Sequence, residues 1–237
     1  MHDGLAAHGS TVLLLDDATG FPVAVVAATH LTALRTAAVD AVAVDALARP
    51  DASRLVVVGT GHQAGFDARA IAYIRPLTDI AICGRNQQAA ARLVADLASQ
   101  GLPARVADVS AVADADIVVT VTSAHEPLLR AGDLRLGTHI SAMGADSPGK
   151  QELDVDIPMM ARCVVDRVEQ ASSIGELQHA LAARAIAVED LVTLSDVLIG
   201  AAPGRRDDRE VTMFDSSGMA IQDLAVCSLA LARAEAE

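Results

Sequence analysis

The feature that most constrains the fold of this chain is an alternation of short apolar runs with longer, alanine-rich stretches. Residues 54–58, 79–83 and 116–121 are runs dominated by aliphatic side chains, which are typical of parallel strands buried on both faces. The stretches at about 63–75 and 87–100 have the length and composition of helices. This alternation predicts an α/β fold with a doubly wound parallel sheet.

The two ends of the chain have a different pattern. Apolar runs at 12–15 and 23–26 flank an acidic, glycine-containing turn and predict a hairpin. We therefore predict a sheet domain at 50–205 and a partial second α+β domain built from both termini, 1–49 and 206–237. The remaining predicted elements are strands at 104–107, 139–143, 163–166 and 211–214 and helices at 28–48 and 219–234.

The first predicted strand of the sheet runs into a glycine-rich loop and then a helix, which is the context that the G-x-G-x-x-A dinucleotide fingerprint requires. Gly59 allows the tight turn, Gly61 leaves room for a pyrophosphate, and Ala64 lets the helix pack closely. The pyrophosphate would bind backbone N–H groups at the helix N-terminus. The predicted cofactor loop of this Rossmann-type domain comprises Gly59, Thr60, Gly61, His62, Gln63 and Ala64.

The second strand of the sheet domain bears on the choice of cofactor. An NAD enzyme usually carries an acidic residue about 20 positions after the glycines, which binds the ribose hydroxyls. Here Arg85 stands in that region, and a guanidinium pairs with a 2′-phosphate instead. The sequence favours NADP, with NAD as the other possibility. An arginine that only solvates a strand end is the alternative.

Two later strand ends are expected at the same edge of the sheet, where ligands bind in such folds. Thr122 and Ser123 follow one strand, and Met143 and Gly144 end another. We predict that Thr122 and Ser123 line the nicotinamide side of the cofactor site, and that Met143 and Gly144 face the same crevice and bind the cofactor. Their alternative role is the capping of ordinary loops.

Composition excludes several other functions. With a net charge of -13 and 2% aromatic residues, the chain lacks the basic, aromatic surface of a nucleic-acid-binding protein. No apolar run reaches the roughly 18 residues of a membrane span. Three cysteines without a C-x-x-C pair indicate neither a zinc site nor a disulfide framework. We expect a cytoplasmic protein without a metal.

Five motifs in order resemble the ornithine cyclodeaminase/mu-crystallin family: residues 31–38, the glycine loop, 115–123, 144–153 and 212–218 with 222–224. The resemblance implies a Rossmann domain joined to a dimerisation domain, a homodimer, and a small amino- or imino-acid substrate bound between the domains. It also implies NAD(P)-dependent hydride transfer to or from an α-imino or α-amino acid. An ornithine cyclodeaminase, which forms proline and ammonia, is the alternative activity.

The resemblance also implies roles for four residues. Arg35 would pair with the substrate carboxylate, and Asp146 would contact the substrate nitrogen and move its proton. Ser216 and Gly218 would lie near the nicotinamide. Without the resemblance, Arg35 would be assigned to a helix-surface ion pair and Asp146 to a turn.

One departure from the family pattern concerns lysine. Members of the family carry a catalytic lysine in a segment that precedes the first motif of this chain. The only lysine in the sequence is Lys150, which belongs to the motif at 144–153. A catalytically impaired protein that binds NADP(H) is therefore the alternative from a different functional class.

Overall fold

The computed structural model describes residues 9–236, which divide into two compact units. One unit contains the described residues up to Thr36 and those from Gly218 onward, and the other is Ala37–Ser217. The strands are β1 (Thr11–Leu15), β2 (Pro22–Ala27), β3 (Arg54–Val58), β4 (Asp79–Cys83), β5 (Ala104–Ala107), β6 (Ile117–Thr120), β7 (His125–Leu129), β8 (His139–Ala142), β9 (Gln151–Leu153), β10 (Arg162–Val165), β11 (Val192–Thr193) and β12 (Thr212–Asp215).

The helices differ greatly in length. The α-helices are α1 (Thr29–Leu47), α2 (His62–Ile74), α3 (Gln87–Ser99), α4 (Asp156–Met160), α5 (Val168–Ala171), α6 (Gln178–Ala182), α7 (Leu194–Leu198) and α8 (Ala220–Glu235). Short 3₁₀ turns occupy Val109–Asp114, Ala131–Asp133 and Val188–Asp190. Within residues 9–236, none of the helices combines the length and apolar character that a membrane span needs.

The larger unit is built on an eight-stranded parallel sheet in the order β11-β10-β12-β8-β6-β3-β4-β5. From β3 the chain moves outward through β4 to β5 and then crosses to β6 on the other side of β3. The strand order therefore reverses between β3 and β6, and ligands bind at such a switch point in open α/β sheets. The predicted α/β class with a Rossmann-type sheet is confirmed.

The continuous apolar runs follow from burial on both faces of the sheet. In β3, Leu55 and Val57 pack in one core cluster, whereas Val56 and Val58 pack in another. Residues of β4 and β6 alternate between the same two clusters. Because successive side chains of a strand point to opposite faces, both faces must be apolar, and no polar alternation can appear in the sequence.

One strand lies elsewhere than the sequence predicted. We expected the strand near 211–214 to belong with the terminal segments, and that assignment was wrong for the strand itself. β12 pairs with β8 on one side and β10 on the other, in the middle of the large sheet. All four of its residues are buried, so it needs cover on both faces, which its place inside the large sheet provides.

This unit also contains a second, small sheet that the sequence did not predict. β7 pairs with β9 in parallel, with His125 opposite Gln151 and Leu129 opposite Leu153. Because β9 has only three residues and β7 contains Pro127, neither has the apolar run by which a strand is recognised. This pairing joins the two ends of the segment 125–153, which contains the motif at 144–153.

The smaller unit contains the predicted hairpin and the C-terminal helix. β1 and β2 pair antiparallel from Thr11 opposite Ala27. One face of the hairpin packs with α8 around buried Leu14, Ala28 and Cys227. The other face exposes four apolar side chains of the hairpin strands, Leu13, Leu15, Val23 and Val25, each more than half exposed. The predicted domain boundaries at 49/50 and 205/206 stay a prediction; residues 1–8 and 237 lie outside the described residues.

Candidate functional site

The glycine loop is folded around its first glycine. Gly59 has φ +147°, a conformation that side chains disfavour, and a Cβ there would lie 2.5 Å from the Val121 carbonyl oxygen. Its N–H donates to the Cys83 carbonyl at 2.8 Å. Gly59 thus joins the ends of β3, β4 and β6 at the switch point. The sequence requirement for glycine here is structural.

Gly61 is constrained differently. It is the N-cap of α2, no side chain caps the helix from this position, and a Cβ at Gly61 would meet nothing within 4 Å. The helix N-terminus therefore opens onto free space, which is what a bound pyrophosphate requires. Ala64 is fully buried against the sheet, as the fingerprint predicts for its last position. These features fit a dinucleotide.

The other loop residues are partly engaged with the helix. Gln63 donates from Nε2 to Asp67 Oδ1 at 2.7 Å, and the His62 ring lies 4.8 Å from the Phe66 ring between centroids. Thr60 approaches Gly84 so closely that a Cβ on Gly84 would lie 2.5 Å from Thr60 Cγ2. The loops after β3 and β4 are therefore packed together. Arg85 follows directly in the second loop and is exposed.

The two later strand ends are held together by a buried carboxylate, that of Glu152, which was not predicted from the sequence. Glu152 Oε1 accepts from the Thr122 N–H at 2.6 Å, and Glu152 Oε2 accepts from the Gly144 N–H at 3.1 Å. Gly144 leaves no room for a side chain, because a Cβ would lie 2.4 Å from the Thr122 carbonyl oxygen. Glu152 therefore fixes the spacing of the loops that contain Thr122, Ser123, Met143 and Gly144.

Two further buried acids hold the backbone around Glu152 in place through hydrogen bonds from N–H groups. Glu176 accepts from the backbone N–H groups of Glu152 and Leu153, at 2.8 Å and 2.6 Å to Oε1. Asp215 accepts from the N–H groups of Glu176 and Leu177 at 2.9 Å and 3.1 Å. Burial is the main cause that raises the pKa of Glu176 to about 9 and that of Asp215 to about 7. The three acids form a continuous chain that ends at Asp215 on β12.

Asp146 is the exposed acid of this edge of the sheet. Its Oδ1 accepts from Lys150 Nζ at 2.6 Å, and the same ammonium donates to the Gly144 carbonyl oxygen at 3.2 Å. The Asp146 side chain is 64% exposed, whereas that of Lys150 is 18% exposed. A strand, β9, follows Lys150, so the segment lacks the helix that a nucleotide-binding G-x-x-x-x-G-K loop requires.

Ser216 lies at the end of β12 and is nearly buried. Its hydroxyl donates to Asp166 Oδ2 at 3.1 Å, and the Ser217 hydroxyl donates to Asp166 Oδ1 at 3.3 Å. Asp166 follows β10, so this contact joins two neighbouring strand ends of the large sheet. The role near the nicotinamide that the family resemblance implies for Ser216 stays a prediction.

Arg35 belongs to the smaller unit and has partners there. Its Nε donates to Asp223 Oδ1 at 3.2 Å and its Nη1 donates to Gln222 Oε1 at 3.1 Å. Gly218 has φ +81°, and a Cβ on it would lie 2.9 Å from Arg35 Nη1. The helix ion pair that we considered as the alternative for Arg35 is thus present in the structure, and it holds a guanidinium that is 16% exposed.

A separate pair of buried acids lies in the larger unit, on α1 and α2. Asp40 and Asp67 are both fully buried. In the described part of the chain, neither side-chain oxygen of Asp40 has a hydrogen-bond partner. Of the two Asp67 oxygens, Oδ1 has a partner, Gln63, and Oδ2 has none there. Burial is the main cause that raises the pKa of Asp40 to about 7, with the nearby Ser141 hydroxyl offsetting part of the rise. Burial and the adjacent Asp40 raise the pKa of Asp67 as well.

The predicted residues of the larger unit thus gather at one edge of its sheet. They comprise the glycine loop Gly59–Ala64, Arg85, Thr122, Ser123, Met143, Gly144, Asp146 and Ser216. Arg35 and Gly218 lie in the other unit. The sequence signal for Glu152 was its place in the motif at 144–153, where it stands beside an apolar residue in what proves to be a buried strand.

Comparison with known proteins places these features in a wider group. The chain is 39% identical over 227 residues to the alanine dehydrogenase of Archaeoglobus fulgidus, a match that covers 95% of this chain and 70% of that protein. The iminosuccinate reductase of Paracoccus denitrificans, solved with NAD+, gives a TM-score of 0.91 at 41% identity over 98% of this chain and 73% of that chain.

A third relative has a lower identity and the same fold. The Δ1-pyrroline-2-carboxylate reductase of Thermococcus litoralis, solved with NADH and L-proline, gives a TM-score of 0.92 at 29% identity over 96% of this chain and 72% of that chain. The profile of the ornithine cyclodeaminase/mu-crystallin family matches residues 1–237. This chain belongs to the ornithine cyclodeaminase/mu-crystallin family.

Proposed function

We propose that this protein is an NAD(P)-dependent oxidoreductase that transfers a hydride between the nicotinamide and a small α-imino or α-amino acid, as a cyclic imino-acid reductase does. The observation that carries the proposal is the convergence of a dinucleotide loop with an exposed carboxylate, Asp146, at one edge of the sheet. The alanine dehydrogenase and the two reductases among the relatives support the same class of reaction.

In the proposed mechanism, each part of the protein has a separate task. The loop from Gly59 to Ala64 would hold the pyrophosphate, and Glu152 fixes the spacing of the Thr122 and Gly144 loops, which would lie beside the nicotinamide. When bound, the cofactor supplies or accepts the hydride. Arg35 binds the substrate carboxylate with a guanidinium already oriented by Asp223. Asp146 moves the proton on the substrate nitrogen.

The choice between the two nicotinamide cofactors depends on Arg85. We propose that the exposed guanidinium pairs with the 2′-phosphate of NADPH, although the two reductases solved with cofactor hold NAD+ and NADH. Isothermal titration of both reduced cofactors tests this. The Arg85→Gln substitution is expected to weaken NADPH binding about tenfold, the effect of one charge-assisted hydrogen bond, and to leave NADH binding unchanged. Equal or tighter binding of NADH by the wild type would contradict the preference.

Turnover is tested by the oxidation of NADPH and NADH in the presence of candidate imino acids. The panel contains Δ1-pyrroline-2-carboxylate and, with ammonia, pyruvate and oxaloacetate. Oxidation of the cofactor with any of them supports the proposal. Conversion of ornithine to proline and ammonia without net cofactor turnover favours the cyclodeaminase. Cofactor binding with no reaction at all would identify the protein as a catalytically impaired NADP(H)-binding relative.

The matched control for this assay is a pair of glycine substitutions. Gly61→Ala is expected to abolish cofactor binding while leaving the melting temperature unchanged, because a Cβ there meets only open space. Gly59→Ala is expected to destabilise the fold itself, because its Cβ would lie 2.5 Å from a backbone oxygen. Unchanged cofactor affinity in Gly61→Ala would show that the loop is not the binding site.

We also propose a cytoplasmic homodimer. The exposed apolar face of the hairpin supports association, because contiguous apolar patches on a surface mark interfaces. The archaeal alanine dehydrogenase, described as a dimer with bound NAD, is in accord with it. Sedimentation equilibrium of the purified chain tests the oligomeric state.

A further inference from the structure

We infer that Lys150 is a positioning residue for the reaction, which holds the Asp146 carboxylate in place for proton transfer at the substrate nitrogen. This inference rests on the proposed function, because it requires that Asp146 act on the substrate. It gives a task to the only lysine of the chain, whose position excludes it from the role of the family's catalytic lysine.

The first support is the unequal exposure of the two partners. A surface ion pair normally has two mobile, solvated side chains and contributes little. Here the lysine side chain is 18% exposed and the aspartate side chain is 64% exposed. The cation is therefore held within the protein, while the carboxylate faces solvent. That is the arrangement expected if the lysine orients a group that must meet a ligand.

The second support is the way in which the lysine itself is held. Its backbone carbonyl accepts from Gln178 Nε2 at 3.3 Å and contacts His179 Nε2 at 3.1 Å, and both of these residues belong to α6. The preceding N–H, that of Gly149, donates to Gln178 Oε1 at 2.8 Å. Because the backbone of Lys150 is hydrogen-bonded to α6, the position from which its side chain extends is fixed.

The third support is the set of atoms that the ammonium contacts. It bridges the Gly144 carbonyl oxygen and Asp146 Oδ1, so it spans the turn that joins a strand end to the exposed acid. Within residues 9–236, Lys150 is the side-chain partner of Asp146, and it engages Oδ1 alone. Oδ2 is left for the substrate. Since Glu152 holds the N–H of Gly144, the carboxylate has a fixed distance from the proposed nicotinamide loops.

A kinetic comparison of three variants tests the inference. Lys150→Gln is expected to lower kcat about tenfold with little change in KM, which corresponds to one charge-assisted hydrogen bond. Lys150→Arg should restore part of kcat.

The control variant removes a comparable ion pair from another loop. Arg206 and Glu210 also form an i,i+4 pair, and Arg206→Gln is expected to leave kcat and KM unchanged. If Lys150→Gln keeps the wild-type kcat while the wild type turns over an imino acid, the inference is wrong and the proposed function stands. If the wild type has no activity, both fail.

A spectroscopic readout does not depend on turnover. Because the chain has a single lysine, protein labelled with ¹⁵N-lysine gives one side-chain ammonium signal. Asp146→Asn is expected to shift that signal, whereas Asp114→Asn, which alters an exposed partner of Arg54, should leave it unchanged. A signal that does not respond to Asp146→Asn would overturn the inference even where Lys150→Gln fails to fold.

Discussion

Two sets of buried carboxyl groups in the larger unit have opposite surroundings. In the first set, Glu152, Glu176 and Asp215 each accept at least two bonds from backbone N–H groups. In the second set, within residues 9–236, Asp67 accepts one hydrogen bond, from Gln63, and the Asp40 oxygens accept none. Glu152 and Asp215 of the first set lie in strands β9 and β12, whereas the second set lies on helices α1 and α2.

The direction of the pKa shift does not distinguish the two sets. Burial raises the pKa of Glu176 to about 9, and it raises the pKa values of Asp215 and Asp40 to about 7. What differs is the use of the oxygens. Replacing a carboxylate by its amide changes one acceptor into a donor, so the substitution is harmful where both oxygens accept N–H groups and harmless where they do not. Amide substitutions therefore separate the sets.

The largest effect is expected at Glu152. Its two oxygens accept from Thr122 and Gly144, so Glu152→Gln must turn an NH₂ group toward a buried N–H. We expect a loss of about 2–3 kcal/mol in the free energy of unfolding, the cost of an unsatisfied buried donor. Cofactor affinity should fall as well, because the two loops lose their spacing. Urea unfolding and titration with NADPH measure these effects.

The control for this variant is Glu126→Gln, which changes an exposed glutamate of β7. Its stability and cofactor affinity should match those of the wild type. If Glu152→Gln were as stable as the wild type, the carboxylate would not be the device that fixes the two loops, and the contrast between the two sets would lose its basis.

At Asp40 we expect the amide substitution to increase the free energy of unfolding. Its raised pKa means that the folded state binds more protons than the unfolded state between about pH 4 and pH 7, so the stability of the wild type falls as pH rises through that window. Asp40→Asn removes this slope. We expect a gain of roughly 1–3 kcal/mol at pH 8 that disappears near pH 4. Unfolding in urea at the two pH values measures it, and a loss of stability at pH 8 would contradict the assignment.

The sequence predicted the large features because they repeat. The alternation of Val/Ile runs and alanine-rich stretches gave the parallel sheet, and the fingerprint gave the loop from Gly59 to Ala64. It misassigned β12, because a strand near the end of a chain carries no local signal of its neighbours, and β12 lies between β8 and β10. Pairing over long sequence separations is set by burial and topology, which a local pattern does not contain.

The acids were harder to predict for a related reason. Glu152 and Asp40 stand in stretches where nothing marks an acidic residue as buried, and an acidic residue normally indicates a solvated face. Only the packing of several elements around them makes Glu152 an acceptor of two N–H groups and leaves the Asp40 oxygens without a hydrogen-bond partner within residues 9–236. The ion pair of Lys150 with Asp146 could be predicted from the sequence, because the two residues stand four apart within one motif.

The smallest effect is expected from Asp67, and it concerns the coupling of the pair. Asp67→Asn keeps the oxygen that accepts from Gln63 and removes the charge that Asp40 opposes. Once either acid is neutral, the repulsion between them is gone, so the double variant should gain less at pH 8 than the sum of the single gains. A shortfall of about 0.5–1 kcal/mol is expected for two buried groups that interact electrostatically. Strict additivity would show that the two carboxyl groups titrate independently, which would leave burial alone to explain both shifts.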